Sequence, residues 1–319
     1  MPRLTPQLQR RISVAVSVVS LAAVAWWISK QDTPQFPDSA SGWAWLLAAA
    51  CAYAVALAVR GFRWHRILRL TGIPHARADA YRLTLVGYMG NNVLPVRGGE
   101  LLRVGLLGGR TTARRREILS SVIAERLLDA AVLAAMFALL TWANVADAPA
   151  GQTPAAVAAI ALVAAAIALA SYLALRRRGY FHALHEKIGP FVRSLRLFAH
   201  VEGLLLAGLT VLAWCGEGLT LLLIGRSLGL DLHILDTLQI IVLASLFAAI
   251  PAAPGYAGTF DAGLALGLKA VGVTGGTAVG FVVLTRFVMF VPVTVVGLFL
   301  LLHTYGGFKV EQRRQLVAQ

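Results

Sequence analysis

The sequence has few charged residues and almost no cysteine. Of its 319 residues, 14% are charged and 58% are hydrophobic, and the mean hydropathy is +0.72. No stretch is long and polar enough to form a soluble catalytic domain, whereas several apolar runs approach the length that crosses a bilayer. Cys51 and Cys215 lie within apolar runs, where a thiol behaves as a small hydrophobic group. We predict an all-α polytopic membrane protein that forms a single membrane domain over residues 1–319.

Acidic residues are scarce, with 15 Asp and Glu against 29 Lys and Arg, which makes the formal net charge +14. Such an excess is typical either of cytoplasmic loops or of a surface that binds nucleic acid. Because the arginines fall in short segments between apolar runs, we expect the first and no nucleic-acid partner. Some of these arginines could contact anionic lipid headgroups.

Common enzyme and metal motifs are missing. The sequence has no GxxxxGK[ST] loop, no GxSxG elbow and no Cys or His cluster with zinc-like spacing. His182 and His185 could share a helix face, but they lie in a basic segment. We therefore predict no metal and no cofactor.

The apolar runs predict about six full spans and two broken ones. The full spans are predicted at 12–28, 43–60, 118–142, 154–175, 203–224 and 277–303. The first run resembles a signal peptide, but its end at Trp26 and Trp27 suits a membrane interface, so we expect an uncleaved span. The broken runs, 80–108 and 236–268, are interpreted as re-entrant hairpins, because non-helical backbone at membrane depth needs protein or water around it.

Basic residues predict the orientation. If the N-terminus is cytoplasmic and both hairpins are re-entrant, most basic residues fall in cytoplasmic segments, and only Lys30, Arg226 and Lys269 fall outside. This asymmetry predicts a multi-pass protein of the cell's inner (plasma) membrane with both termini in the cytoplasm. The basic segments 61–79 and 176–200 mix arginine with apolar residues, so we expect them to lie in the headgroup layer.

The two halves of the chain, about 43–142 and 203–303, echo each other. Each broken run leads to a carboxylate, Glu100 or Asp261, and an arginine follows 26 or 25 residues later, at Arg126 or Arg286. The arginine count implies that one hairpin enters from each side, which is an inverted repeat. Paired interrupted segments of this kind indicate a binding site near the midplane.

Ionisable residues inside apolar runs are candidate functional residues, because they are costly in a membrane. They are Arg97, Glu100, Arg103, Glu125, Arg126, Asp129, Glu217, Asp261 and Arg286. At the breaks, Asn92, Gly98, Gly99, Gly255 and Gly258 are added as substrate-binding candidates. A half-helix beginning near Gly99 would present free N–H groups to an anion, and Arg97 could grip a phosphate.

Structural pairing is the alternative for each charged candidate. Arg97 could instead lock the first hairpin by pairing with Glu100. Asp129 shares a helix face with Arg126 and also with Glu125. Arg126 could therefore pair with Asp129, or else with Glu100. Asp261 is the expected partner of Arg286. Glu217 could exchange a proton or form a salt bridge with Arg97, Arg126 or Arg286.

Three motifs resemble those of a known family. The segment 92–103 (NVLPVRGGELLR) is similar to N-x-L-P-x-R-x-G-E-x-x-R, the segment 125–129 (ERLLD) to E-R-x-x-D, and the segment 251–258 (PAAPGYAG) to P-x-x-P-G-x-x-G. These are motifs of the flippase-like family, also called the lysylphosphatidylglycerol synthase transmembrane region. The resemblance implies a membrane domain that moves lipids or lipid-linked groups between leaflets. Because the chain ends at Gln319, we expect it to lack the aminoacyl transferase domain of the bifunctional synthases.

The sequence therefore predicts a lipid flippase-like transporter, not an enzyme. Arg97, Arg126 and Arg286 would neutralise an anionic headgroup, while Glu100, Asp261 and Glu217 would compensate the empty site or couple protons. Two alternatives stay open: an integral membrane enzyme acting on lipid phosphates or sugars, and a non-catalytic partner of a lipid-modifying enzyme. The lipid and the oligomeric state are not predicted.

Overall fold

The structure, a computed structural model, describes residues 32–94, 97–146, 201–250 and 254–306, together with Trp26 and Ser29. All regular secondary structure in these ranges is helical, as predicted. Three predicted segments lie outside the described ranges: the span 154–175, the interfacial segment 176–200 and, except for Trp26, the first span 12–28.

Eight α-helices make up the described chain. They are α1 (Ala40–Leu70), α2 (Arg77–Val93), α3 (Gly98–Gly108), α4 (Arg115–Ala146), α5 (Val201–Ser227), α6 (Ile234–Ala248), α7 (Thr259–Ala270) and α8 (Gly275–Tyr305), with a 3-10 turn at Pro254–Tyr256. Among the described residues, α1, α5 and α8 are long and apolar enough to cross a membrane. The predicted span 118–142 lies within α4, which is 32 residues long.

The distribution of apolar and charged side chains is the reverse of that in a soluble protein. Large apolar side chains are exposed, among them Leu204, Val295 and Phe299. Arginine side chains are buried, including Arg60 and Arg63. Contiguous exposed apolar surface is rare on soluble monomers, but it suits helices surrounded by lipid. The chain is a membrane protein with several apolar helices, as its composition indicates.

Helix α1 differs from the prediction at its C-terminal end. The predicted span stopped at residue 60, and the following arginines were assigned to a headgroup-facing segment. Instead, α1 runs without a break to Leu70. It turns Arg60 and Arg63 into the protein interior, where each is almost completely buried. The physical reason is that carboxylates on α4 and α5 form ion pairs with both arginines, which compensates the burial of their charges.

The first broken run folds into a helical hairpin of α2 and α3. Helix α2 ends at Val93 because Leu94, which precedes a proline, takes an extended conformation (φ −93°, ψ 144°). The two helices then pack closely: a methyl group added at Gly90 would lie 2.5 Å from the Gly99 Cα. Glycine at both positions therefore permits this contact.

The second broken run forms a similar hairpin of α6 and α7. Helix α6 ends at Ala248, and α7 begins at Thr259 after the 3-10 turn. Its helices also meet at a glycine, since a methyl group on Gly263 would lie 2.6 Å from the Ala244 Cα. Both interrupted segments are thus pairs of short helices that turn back on themselves.

The ends of the two hairpins meet beside the long helices. Arg97 in the first turn donates a hydrogen bond to the carbonyl of Ala248 at the end of α6 (3.1 Å). The carbonyl oxygen of Asn92 lies 3.4 Å from the position of a methyl group built on Gly255. The helix interruptions of both halves therefore lie next to each other in the fold.

Candidate functional site

A cavity of about 380 Å³ lies between the two hairpin turns. The hairpins contribute polar and apolar groups, including Asn92, Arg97, Ser245 and Tyr256. Helices α1, α4, α5 and α8 supply the remaining walls, so residues from seven of the eight described helices line the cavity. The other described lining residues are Tyr53, Arg60, Tyr88, Arg126, Asp129, Ala130, Leu133, Trp214, Glu217, Ala248, Ala249, Phe260, Met289 and Phe290.

Arg60 and Glu217 form the charged wall contributed by α1 and α5. The Arg60 Nη2 and Nε atoms donate to the same oxygen, Glu217 Oε1, at 2.7 and 3.1 Å. The Arg60 guanidinium also lies over the ring of Trp214, 4.6 Å from its centroid. An arginine held by a carboxylate and an aromatic face is well compensated, even though its side chain is almost fully buried.

Arg63, one helical turn further along α1, ties three elements together. Its guanidinium contacts Asp129 at 2.6 Å and Glu125 at 3.0 Å, both on α4. It also donates to the hydroxyl of Thr210 on α5 (2.7 Å). The second oxygen of Glu125 accepts from Arg103 on α3 at 2.9 Å. Helix α4 therefore carries the acidic residues that organise arginines from two other helices.

Arg126 extends this network to the first hairpin. Its Nε lies 3.0 Å from Glu100 Oε1, and its Nη1 lies 3.3 Å from Asp129 Oδ2. The contact with Glu100 lacks hydrogen-bond geometry, because neither of its two atoms has a hydrogen-bond partner in the described chain. Both expected partners of Arg126 are therefore present, and its contact with Glu100 is an ion pair without a hydrogen bond.

The whole network is balanced in formal charge. Within the described residues it contains four arginines and four carboxylates: Arg60, Arg63, Arg103 and Arg126 with Glu100, Glu125, Asp129 and Glu217. Buried charges on this scale persist only when each has partners, because an isolated ion costs several kcal/mol to remove from water. The network is therefore neutral as a whole, although its members line the cavity with both signs.

Arg97 lies outside this balance. It does not pair with Glu100, which was the structural alternative, and it makes no ion pair with any residue that the structure describes. Its Nη2 is bound to the Ala248 carbonyl, and its guanidinium lies 5.4 Å from the centroid of the Tyr256 ring. The side chain is only partly buried and lines the cavity. Arg97 thus adds a positive charge to a compensated wall.

Asp261 and Arg286 stabilise the turn of the second hairpin. The Arg286 Nε donates to Asp261 Oδ1 at 2.6 Å, and its two Nη groups donate to the carbonyls of Gly255 and Tyr256. The expected partnership of Asp261 with Arg286 is present. With all three nitrogens of its guanidinium engaged, Arg286 lies behind the turn and is not among the described residues that line the cavity.

The glycines of the two breaks are placed against protein. A methyl group at Gly99 would lie 1.9 Å from the carbonyl oxygen of Gly87, and one at Gly98 would lie 2.9 Å from Leu94 Cβ. Gly255 takes a positive φ of 66°, and the amide of Gly258 donates to Asp261 Oδ2 (2.9 Å). None of these four is among the described lining residues, because each allows close packing or a tight turn.

The start of α3 is also different from the expectation. The Gly99 N–H, expected to be available to an anion, is already occupied by the side-chain oxygen of Asn91 at 3.1 Å. This bond caps the helix in the way that polar side chains commonly do. The neighbouring Asn92 does line the cavity, and its amide donates to Thr294 on α8 (2.9 Å).

Comparison with known proteins identifies the family of the chain. Residues 12–297 match the family model of the lysylphosphatidylglycerol synthase transmembrane region. The chain belongs to this family. It is also similar to a UPF0104 membrane protein of Methanothermobacter thermautotrophicus, with 24% identity over 330 aligned positions that cover 95% of this chain and 97% of that protein. No solved structure matches the chain at a significant level. The family resemblance of the three motifs is thereby confirmed.

In this member of the lysylphosphatidylglycerol synthase transmembrane family, the motifs occupy the site. The first motif forms the turn between α2 and α3, the second lies on α4, and the third leads into α7. Sequence reasoning missed Arg60 and Arg63, because they follow an apolar run and were assigned to the cytoplasmic face. The signal was the imbalance among intramembrane candidates, in which five carboxylates faced four arginines. Unpaired buried carboxylates require further cations.

Proposed function

We propose that this protein is a lipid flippase-like transporter that moves an anionic phospholipid or a lipid-linked anionic headgroup between the two leaflets. The observation that supports it is the position of Arg97. It is a partly exposed arginine, without an ion pair in the described chain, on the wall of a cavity whose other charges compensate one another. Such a site attracts one negative charge, as a phosphodiester carries.

The donors of Arg97 support binding of a phosphate group. Among the described residues, Arg97 is hydrogen-bonded through Nη2 alone, to the Ala248 carbonyl, so we assign the Nε and Nη1 groups to two phosphate oxygens. A guanidinium offers such a bidentate grip, which an ammonium does not. Arg126 is the second candidate ligand, because its contact with Glu100 lacks hydrogen-bond geometry and could yield to a phosphate oxygen. In this proposal Arg286 holds the second turn and does not contact the headgroup.

We further propose that the two hairpins are re-entrant and belong to inverted halves, about 43–142 and 203–303. The supporting observation is that Glu100 and Asp261 occupy the third residue of α3 and α7, respectively. Each carboxylate contacts the Nε of an arginine on the next long helix, at 3.0 and 2.6 Å. Rocking of the halves about the shared cavity would give alternating access from the two leaflets.

Glu217 is the carboxylate that we assign to proton coupling. Both hydrogen bonds from Arg60 reach one of its oxygens, and the residue lines the cavity. Protonation of Glu217 would release Arg60 toward an arriving headgroup. The transporter would thereby take up a proton on Glu217 together with a lipid anion on Arg60, with both termini in the cytoplasm and no chemical step on the lipid.

Leaflet exchange in vesicles tests the proposal. The protein would be reconstituted in phosphatidylcholine vesicles that contain a fluorescent phosphatidylglycerol, and exchange would be followed by quenching of the outer leaflet with dithionite. We expect exchange by the wild type and its loss in Arg97→Gln. Arg226→Gln is the matched control, since Arg226 pairs with Asp231 on the exposed end of α5. Equal exchange by wild type and Arg97→Gln would contradict the assignment of Arg97.

A further inference from the structure

A second cavity lies directly beside the first and differs from it in chemistry. It has a volume of about 250 Å³ and lies between α1, α2 and α8. Its described lining consists of aliphatic and aromatic side chains, without a charged residue. We refer to it as the apolar groove. Its members that matter for the argument are Tyr53, Ala54, Ala58, Tyr81, Pro292 and Val296.

The groove exists because of small residues on α1. Ala54 and Ala58 are four residues apart, with Ala50 one turn before them, so their methyl groups lie on one face of the helix. Alanine at these positions leaves space that larger side chains on α8 do not fill. Ala54 and Ala58 are exposed, and Val296 on the facing wall is 44% exposed, so the groove opens on the lipid-facing surface.

The opposite wall of the groove contains an irregularity in α8. Pro292 lies inside this helix and cannot donate a hydrogen bond to the carbonyl of Val288, which also lines the groove. A proline within a long helix is a common cause of bending. The groove is thus bounded on one side by minimal side chains and on the other by the segment of α8 where the helical ladder is interrupted.

Tyr53 connects the groove to the charged cavity. It is the residue that the described linings of both spaces share, and its side chain is buried between them. The structure therefore places a polar space and an apolar space on two sides of one aromatic ring. A molecule with an anionic end and a hydrocarbon end would match both spaces at once.

We infer that the apolar groove binds one hydrocarbon chain of the lipid whose headgroup occupies the charged cavity. This inference rests on the proposed function and adds to it the path by which the substrate enters, between α1 and α8. A chain in the groove would stay in contact with the bilayer core while the headgroup passes Tyr53 and reaches Arg97. The groove would also distinguish a lipid from a free phosphate, since only a lipid fills both spaces.

Photolabelling tests the inference without requiring transport. The wild type would be reconstituted in phosphatidylcholine vesicles that contain phosphatidylglycerol with a diazirine near the end of one acyl chain. After illumination, labelled peptides would be identified by mass spectrometry. We expect labels on the α1 and α8 segments that line the groove, and loss of most of this labelling in Ala54→Phe and in Ala58→Phe. Labels spread evenly over all lipid-facing helices would overturn the inference.

Two further variants separate the possible outcomes. Val55→Phe is the matched control, because Val55 is 63% exposed at the same depth of α1 and does not line the groove. It should keep the labelling. Arg97→Gln should reduce groove labelling if one lipid spans both spaces, and unchanged labelling would overturn that connection. If the wild type exchanges lipid and Ala54→Phe exchanges it equally well, the role of the groove is overturned but the transport function is not. If the groove is labelled but the wild type exchanges no lipid, the transport function is overturned but the binding of a hydrocarbon chain in the groove is not.

Discussion

The Arg97 guanidinium lies 5.4 Å from the centre of the Tyr256 ring, and both residues adopt the same uncommon backbone conformation. They are the two non-glycine residues with a positive φ in the described part of the chain, at 54° and 55°. Each sits in the turn of a different hairpin. Left-handed conformations cost a non-glycine residue on the order of 1–2 kcal/mol, and such costs concentrate at functional sites. The two turns therefore aim a cation and an aromatic face at one cavity.

Replacing Arg97 by glycine should separate stability from function. Glycine adopts the left-handed conformation without penalty, which offsets the loss of the hydrogen bond to Ala248. We expect the free energy of unfolding to change by no more than about 1 kcal/mol. Lipid exchange should be lost. Thermal unfolding in detergent and vesicle exchange measure the two effects, and a large drop in melting temperature would show that Arg97 is mainly structural.

The Arg60–Glu217 pair should behave as a buried ion pair. Arg60→Met alone leaves Glu217 uncompensated, and loss of one partner from such a pair commonly costs about 3–5 kcal/mol. The double variant Arg60→Met with Glu217→Leu removes both charges and should recover most of the lost stability. Tryptophan fluorescence during thermal unfolding would follow all three proteins. Additive losses in the double variant would contradict direct coupling of the two residues.

Close packing of the first hairpin should make Gly99 intolerant of a methyl group. Alanine there would place Cβ 1.9 Å from the Gly87 carbonyl oxygen, so α2 and α3 must separate. We expect a loss of about 1–3 kcal/mol or more, as for an overpacked core. Gly208→Ala is the control, because nothing lies within 4 Å of its Cβ. That change should stabilise α5 by about 1 kcal/mol, and equal effects would contradict the packing argument.

The two hairpin carboxylates should differ in their structural importance. Asp261 binds Arg286 and also accepts the Gly258 N–H, which caps α7, whereas Glu100 contacts Arg126 without a hydrogen bond. Asp261→Asn weakens two interactions and should cost about 1–3 kcal/mol. Glu100→Gln should cost less. The difference in melting temperature between the two variants measures this, and a greater loss in Glu100→Gln would reverse our assignment.

Binding of anionic lipid should depend on pH through Glu217. If protonation of Glu217 releases Arg60, phosphatidylglycerol should bind more tightly as the pH falls. Glu217→Gln mimics the protonated carboxyl group, so its binding should be tight and nearly independent of pH. Titration of the purified protein with phosphatidylglycerol micelles at several pH values measures both. The same pH dependence in wild type and variant would assign the proton to another group.

Much of the site could be predicted from local sequence. The apolar runs indicated the long helices, Pro95 and the glycines indicated the interruption between α2 and α3, and the spacing of Asp261 from Arg286 indicated their contact. These features depend on interactions within one segment or one half of the chain. Helix periodicity and the restrictions around proline act over a few residues, so they can be recognised without the rest of the fold.

Only the tertiary structure decided the partners across the halves. Arg60 and Glu217 are 157 residues apart, and their contact depends on how α1 crosses α5. The sequence predicted Arg63 at the membrane surface, but in the folded protein it is buried against Glu125 and Asp129 of α4. Gly99 proved to be a helix contact because α2 lies against it. By itself, the sequence determined the helices, their interruptions and the shortage of cations among the intramembrane charges. The packing of the helices decided which charges cancel and left Arg97 as a cavity-lining arginine without an ion pair in the described chain.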